Sequence, residues 1–391
     1  MGDIYTLAWR TVVWLGPEFD GSGAALKILE QIGDQFEICN DAYLRSPQAS
    51  EPRWWLPTVQ IPLDERSLHA IDKIWRSSWF ERLWVVQEIQ LANTLSIMYI
   101  GHKSISWHKM RRALYCLAMK KEITVPILRE NRELYHISFN FRGSTPSQLV
   151  DYNRHRKCAD PRDHIYAILG LARQDAALRI PIDYSMSTVQ VFEKFVITMI
   201  ESSHRLRMSL CNMHTQQIQQ PSWVPDFSCV TDKLDLLHAQ FSSGLSRATW
   251  ECSQSRTLIV AGVCIGNIRE VSPPLPEDLK DLIHTIRKSE PENLLTGTYH
   301  TGESLLEAYV STLRVNLTRD RWPGVITYSS LGDWTQFYAS KISSTATSVD
   351  FGDASDHRLS NLLHASRGRT FMVLEKGHFG LGPPTAQPGE F

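Results

Sequence analysis

The sequence is short of net charge, of long apolar runs and of paired cysteines, and each shortage removes a class of function. Lysine and arginine number 41 against 42 aspartates and glutamates, a formal charge of −1. That balance argues against a general nucleic-acid or membrane-surface binder. The one local basic cluster, Arg154, Arg156, Lys157 and Arg162, reads as a solvated or salt-bridged face. No apolar run is long enough to span a bilayer, and Met1-Gly-Asp-Ile-Tyr5 lacks the basic-then-apolar pattern of a secretory signal. The seven cysteines (Cys39, Cys116, Cys158, Cys211, Cys229, Cys252 and Cys264) are scattered and odd in number, with no C-x-x-C pair. This is the pattern of reduced thiols in an intracellular chain, so the cytoplasm is the expected location. There is no H-E-x-x-H, no paired Cys/His spacing, no P-loop and no G-x-S-x-G, so no metal and no bound cofactor are expected. Gly377-x-x-Gly380-x-Gly382 runs into Pro383-Pro384 and reads as a hairpin end, not a phosphate loop.

What is present is aromatic. Twelve tryptophans are many for 391 residues, and their apolar neighbours point to core filling. The opening residues Ile4, Tyr5 and Ala8 fit the end of a helix, Thr11–Gly16 a short strand stopped by Pro17, and Ala24–Phe36 an amphipathic helix. A long loop is expected over Ser46–Pro62. Leu95–Ile100 reads as a strand, and Ser106–Met119 and Thr188–Ile200 as helices. After Pro225 the character changes. Thr257–Val263 and Ile265–Val271 look like a β pair, and short helices are expected at Glu277–Arg287, Ser304–Leu313 and Asp333–Ser340. A Ser/Thr/Asp-rich mobile loop is expected near 341–356, and a closing hairpin from Arg369–Leu374 and Gly377–Leu381.

Chemistry is suggested by the segment Trp79–Ala92. Leu68, Ile71, Trp75, Trp79, Leu83 and Val86 form a stripe at helical spacing, with a break near Trp79 allowed for. Phe80, Trp84 and Glu88 form a second row, which sets an indole and a carboxylate on one helix face. Asp160-Pro161-Arg162-Asp163 reads as a helix start, with Asp160 at the N-cap and Pro161 at the first helical position.

These segments resemble the fungal heterokaryon incompatibility (HET) domain family. The resemblance is carried in order by Ile4-Tyr5, Val13-Trp14-Leu15-Gly16, and Trp79, Arg82, Trp84, Gln87 and Glu88. It continues through Asp160-Pro161-Arg162-Asp163, Tyr166, Leu169-Gly170-Leu171, Asp183-Tyr184-Ser185 and Pro221-Ser-Trp223-Val-Pro-Asp-Phe-Ser228. It implies non-self recognition and programmed cell death through interaction with other incompatibility or cell-death proteins, with self-association, and without nucleic acid or a membrane span. The family pattern normally opens further upstream, with segments this sequence lacks, so a fragment or a shortened paralogue is expected.

A remoter similarity links the family to Toll/interleukin-receptor-type (TIR) domains, in which a Trp-x-x-x-Glu helix carries the catalytic carboxylate of NAD-cleaving members. Trp84 and Glu88 have that spacing. Glu88 would then be a catalytic acid, Trp84 a ligand-stacking residue, and NAD the substrate of a hydrolase, as the alternative to the interaction reading. The fold implied is α/β. A HET-like domain over 1–205 would hold an incomplete flavodoxin-like parallel sheet with flanking helices, and an α+β region would follow over 206–391. With the upstream strands missing, Thr11–Gly16 is expected to be an exposed edge.

Overall fold

In a computed structural model of the chain the described residues are 2–39, 42–51, 53–120, 122–141, 144–172, 180–206, 220–228, 246–318, 320, 329–343 and 357–390. They fall into two compact units, Met1–Thr231 and Asp232–Phe391. Among them no helix is long and apolar enough to cross a membrane.

The first unit opens with helix α1 (Gly2–Leu7), strand β1 (Val12–Trp14) and helix α2 (Ser22–Asp34). Helix α2 buries Ala25, Leu26, Leu29 and Ile32, one apolar face at helical spacing. It ends at Asp34, short of the Phe36 that periodicity suggested. Phe36 instead starts a hairpin of β2 (Phe36–Cys39) and β3 (Ala42–Arg45), which the sequence reading did not anticipate. Strands β4 (Ile97–Ile100) and β5 (Lys103–Ser106) complete the main sheet in the order β1-β4-β5. The β1–β4 pairing is parallel and the β4–β5 pairing antiparallel, a small mixed sheet within an α/β unit. Helix α5 (Trp107–Ala118) follows β5 directly.

Helix α2 crosses α5 closely because Gly33 has no side chain. A Cβ at Gly33 would meet the carbonyl oxygen of Lys109. Gly33→Ala is therefore expected to destabilise by about 2 kcal/mol through overpacking, although alanine is the better helix former by roughly 1 kcal/mol. A thermal melt of this variant that matches or exceeds wild type would mean that the crossing has slack.

The stretch from Glu65 to Ala92 is not one helix. It is helix α3 (Glu65–Trp75), a 3-10 turn at Ser78–Glu81 and helix α4 (Val85–Gln90). Asp64 caps α3 by accepting from the Ser67 backbone N–H at 2.7 Å. The second interruption has a tertiary cause: Lys157 N–H donates to Glu81 O at 2.7 Å and Leu83 N–H donates to Lys157 O at 2.9 Å. That bridge draws Arg82 into an extended conformation. The six-residue stripe therefore spans three elements. Five of its members are still buried, from Ile71 to Val86, and Leu68 is half-buried.

Three more helices follow: α6 (Pro126–Glu130), α7 (Pro146–Asn153) and α8 (Asp163–Leu169), and then the long α9 (Thr188–Ser203). Capping boxes open α7 (Thr145 with Gln148) and α9 (Ser187 with Gln190). Helix α8 starts at Asp163, not at Pro161. The Asp160 carboxylate accepts from the Arg162 backbone N–H at 3.0 Å, a local turn that precedes the helix instead of capping it. Phe227 is fully buried, with its ring 5.1 Å from Phe192 and 5.2 Å from Phe195 of α9. That contact carries Pro221–Ser228 into the first unit, beyond the division at 205 expected from the sequence.

In the second unit β6 (Trp250–Cys252) pairs with β7 (Leu258–Val260). Strand β8 (Ile268–Val271) joins β9 (Thr370–Leu374) and β10 (Phe379–Gly382) in an antiparallel sheet ordered β10-β9-β8. The β pair expected from Thr257–Val263 and Ile265–Val271 is thus not formed. Its two halves have different partners, because β8 hydrogen-bonds to a strand about a hundred residues away. The β9–β10 hairpin is as expected, with Gly377 at φ 83 in its turn. Helices α10 (Leu279–Lys288), α11 (Leu305–Leu313), α12 (Leu331–Phe337) and α13 (His357–Ser366) surround a core that includes Ile286, Tyr309, Trp334 and Phe371. Most of the loop expected near 341–356 lies outside the described residues.

Candidate functional site

Helix α4 sets the position of Trp84 and Glu88. Trp84 is its N-cap, and Glu88 N–H donates to Trp84 O at 3.1 Å, so one helical turn does separate them. Their side chains nevertheless have different partners. The Trp84 indole N–H donates to Asp163 Oδ2 at 3.0 Å, and the Tyr184 hydroxyl donates to Asp163 Oδ1 at 2.6 Å. Asp163, only 8% exposed at the start of α8, thus ties α4 to the turn at Tyr184. Burial first, and then the bond to Asp163, push the Tyr184 phenol well above its ordinary range.

Glu88 has a different partner. Its Oε1 pairs with Arg82 Nη2 at 3.3 Å, with side-chain exposures of 16% for Glu88 and 54% for Arg82. Tyr5 of α1 lies beside the pair. Its phenol is pushed up by burial and then by the Glu88 charge, with Arg82 opposing. The indole and carboxylate that share a spacing in the sequence therefore belong to two separate clusters.

The other motif residues brace this arrangement. Arg162 grips Asp160 through Nε and Nη2, at 2.9 and 2.6 Å, and donates from Nη1 to the carbonyls of Tyr184 and Met186 at 2.7 and 2.8 Å. Its guanidinium stands 5.1 Å from the Tyr184 ring centroid. The Arg162 bond holds Asp160 below the usual carboxylate range. Tyr166 OH donates to Asp183 O at 2.9 Å, and its ring meets Tyr184 edge-on at 5.1 Å. Gln87 is buried and donates from Nε2 to Ala167 O at 3.2 Å, bringing α4 onto α8. Gly170 allows that approach, since a Cβ there would meet Gln87 Nε2 at 2.5 Å. Burial, and then Asp163 and Asp160, push the Cys158 thiol up to about 11, so it stays protonated and is a poor nucleophile near neutral pH.

Trp79 and Trp223 are each 6% exposed and serve as core. Trp79 packs edge-on to Phe80 at 5.0 Å and to Trp107 at 6.2 Å. Pro161 lies in the turn before α8. The basic cluster divides. Lys157 pairs with Glu81 at 2.7 Å and Arg162 with Asp160, as a salt-bridged face should. Arg156 departs from that reading: it is 2% exposed, bonded to Asn153 Oδ1 at 3.0 Å and to Phe80 O, and burial lowers its pKa to about 10. Tyr184, the second donor to Asp163, was not singled out from the sequence as a site residue. It stands in the Asp183-Tyr-Ser185 motif, but nothing in its spacing links it to Asp163.

Residues 1–88 match the family model described as heterokaryon incompatibility protein (HET). The chain is also 25% identical over 287 residues to heterokaryon incompatibility protein 6, OR allele, of Neurospora crassa, an alignment that covers 58% of this chain and 41% of that protein. The chain thus matches about two fifths of the length of that curated relative. No solved structure matches the chain. The matched stretch of residues 1–88, which is similar to the heterokaryon incompatibility family, takes in α1, β1, α3 and the Arg82–Glu88 pair.

Proposed function

We propose that the chain acts in non-self recognition and regulated cell death as an incompatibility factor, working through protein contacts with other cell-death proteins. The observation that carries this reading is the engagement of Trp84. Its indole N–H is bonded to Asp163, and its carboxylate neighbour Glu88 is paired with Arg82. Groups that must meet a substrate in its transition state need donors and charges aimed at the reacting atoms. Here the motif groups are aimed at one another and join α4, α8 and the Tyr184 turn. The relationship to an N. crassa incompatibility protein supports the same reading.

The NAD-cleaving alternative draws on one observation. The Arg82–Glu88 contact is long at 3.3 Å and its arginine is half exposed, so the carboxylate can be released toward a sugar whose bond breaks through an oxocarbenium-like state. The two readings separate in cells of a filamentous host expressing wild type or Glu88→Gln at equal soluble level. The expected result is growth arrest with both proteins and unchanged total NAD in both. NAD loss with wild type alone would replace the interaction reading with the enzymatic one.

A further inference from the structure

Among the described residues three arginines are buried, Arg156, Arg314 and Arg369, and they are not held alike. Arg156 is bonded to Phe80 O and Asn153 Oδ1. Arg314 donates from Nη2 to Leu317 O and lies 4.4 Å from the Trp334 ring centroid. Arg369 is 6% exposed, yet none of the described residues accepts a hydrogen bond from its guanidinium, and its Nε is enclosed without a partner. Burial alone lowers its pKa, to about 10, with no carboxylate acting on it. The group is still charged near neutral pH, so the fold encloses a positive charge and leaves it uncompensated, an unfavourable arrangement. Two residues earlier, Arg367 is half-buried and its Nε also lacks a partner. Neither arginine forms an ion pair among the described residues. We propose that Arg367 and Arg369 form a binding site for a single oxyanion, a phosphate or carboxylate group, at the Gly368 turn between α13 and β9.

The backbone of that turn is held from two sides. Arg367 N–H donates to Leu363 O at 3.0 Å and Arg369 N–H to Ser366 O at 3.2 Å, which closes the last turn of α13. Gly368 N–H donates to Leu275 O at 2.8 Å, and Leu275 N–H donates to Arg369 O at 2.7 Å. Leu275 is itself buried and stands in Pro273-Pro-Leu-Pro276, whose prolines fix their own φ. The segment that carries both arginines is therefore ordered before any ligand arrives, and binding orders little more. Strand alternation sets Arg369 on the side of Phe371, whose ring lies 5.0 Å from that of Tyr309 in the core. That side buries the apolar stem of the arginine along with its Nε. Gly368 has φ 67, and a Cβ placed there would meet nothing within 4 Å, so there is room beside the turn. The two guanidinium groups leave the chain on either side of it. A guanidinium fork donates two parallel N–H bonds to a carboxylate or a phosphate, and either group supplies the negative charge that Arg369 lacks. With so little of Arg369 exposed, the ligand is one small anionic group and not an extended acidic surface.

The test is isothermal titration calorimetry of the full chain in chloride buffer of matched ionic strength, with inorganic phosphate and acetate as separate probes. At least one of them is expected to bind at a single site with a Kd on the order of 1 mM. Tighter phosphate marks the natural ligand as a phosphorylated small molecule, and tighter acetate marks it as a carboxylate. The preferred anion at about 20 mM is expected to raise the melting temperature by about 5 °C. Arg367→Gln is expected to weaken binding about tenfold. Arg369→Met is expected to abolish it. In chloride alone Arg369→Met is also expected to melt no lower than wild type, because it removes an uncompensated buried charge and keeps an apolar stem. The wild-type titration needs no variant. The proposal is overturned by a wild type that binds neither anion at about 20 mM, or by an Arg367→Gln variant with wild-type affinity. It is equally overturned by an Arg369→Met variant that still binds, or that melts lower in chloride, the mark of an arginine compensated within the fold.

Discussion

Asp163→Ala is expected to lower the stability of the first unit by about 4 kcal/mol, because a buried acceptor of two bonds disappears while both donors stay. The Trp84 indole N–H and the Tyr184 hydroxyl reach Asp163 at 3.0 and 2.6 Å. Each bond to a charged group is worth roughly 1.5–3 kcal/mol, and a donor stranded without water costs a similar amount. Tyr184 is 49% exposed and recovers water easily, so most of the loss falls on the Trp84 side. At roughly 2–4 °C per kcal/mol for a unit of this size, the melting temperature should fall by about 10 °C. Tyr184→Phe, which removes one donor and leaves Asp163 bonded, should cost about 1 kcal/mol. A double-mutant cycle with Trp84→Phe then measures the coupling across the shared carboxylate. A shift below about 1 kcal/mol for Asp163→Ala would mean that the bracket joining α4, α8 and the Tyr184 turn is incidental to the fold.

Mild acid should weaken the same unit by about 3 kcal/mol between pH 6.5 and pH 5. Two histidines are responsible. Burial lowers His164 to about 4, with Arg154 adding to the shift and Asp226 and Asp163 opposing it. Burial also lowers His155 to about 3, helped by the neighbouring Arg156 charge. In the unfolded chain both take up a proton near pH 6.5. The folded state refuses that proton until the pH is far lower, so the stabilisation is complete above 6.5 and declines as the pH falls. The slope approaches roughly 1.4 kcal/mol per pH unit for each histidine. Urea unfolding at a series of pH values from 7.5 to about 4.5 should show the decline, and His164→Gln should flatten it. A stability that stays level down to pH 5 would show that both rings already accept protons in the fold.

Much of the framework was legible because its causes are local. The helix expected over Thr188–Ile200 forms, opened by the capping box of Ser187 with Gln190. Gly377 marks the β9–β10 turn locally, and the short apolar runs of Thr11–Gly16 and Leu95–Ile100 located two strands of the main sheet. The errors share a different origin. Continuous helical periodicity from Glu65 to Ala92 conceals an interruption imposed by Lys157, some 75 residues away. Arg156 looked solvated because three of its basic neighbours are at least partly exposed, yet its own guanidinium is enclosed by Phe80 and Asn153. The Asp160–Pro161 helix start was misplaced because an aspartate that binds its own turn has the same short-range pattern as one that caps a helix.

By itself the sequence determined the α/β class and the similarity of residues 1–88 to the heterokaryon incompatibility family, and it singled out Trp84, Glu88 and Asp163, since each follows from periodicity or a motif. Only the tertiary structure decided what those residues do. Trp84 and Glu88 stand one helical turn apart, and their spacing promised a shared site. The carboxylate that takes the indole is Asp163, 79 positions away, and the cation that takes Glu88 is Arg82. A hydrogen bond between distant positions leaves no periodic trace in a chain. Partnership at this site is set by which elements the core brings together, and the core forms only when the whole unit folds.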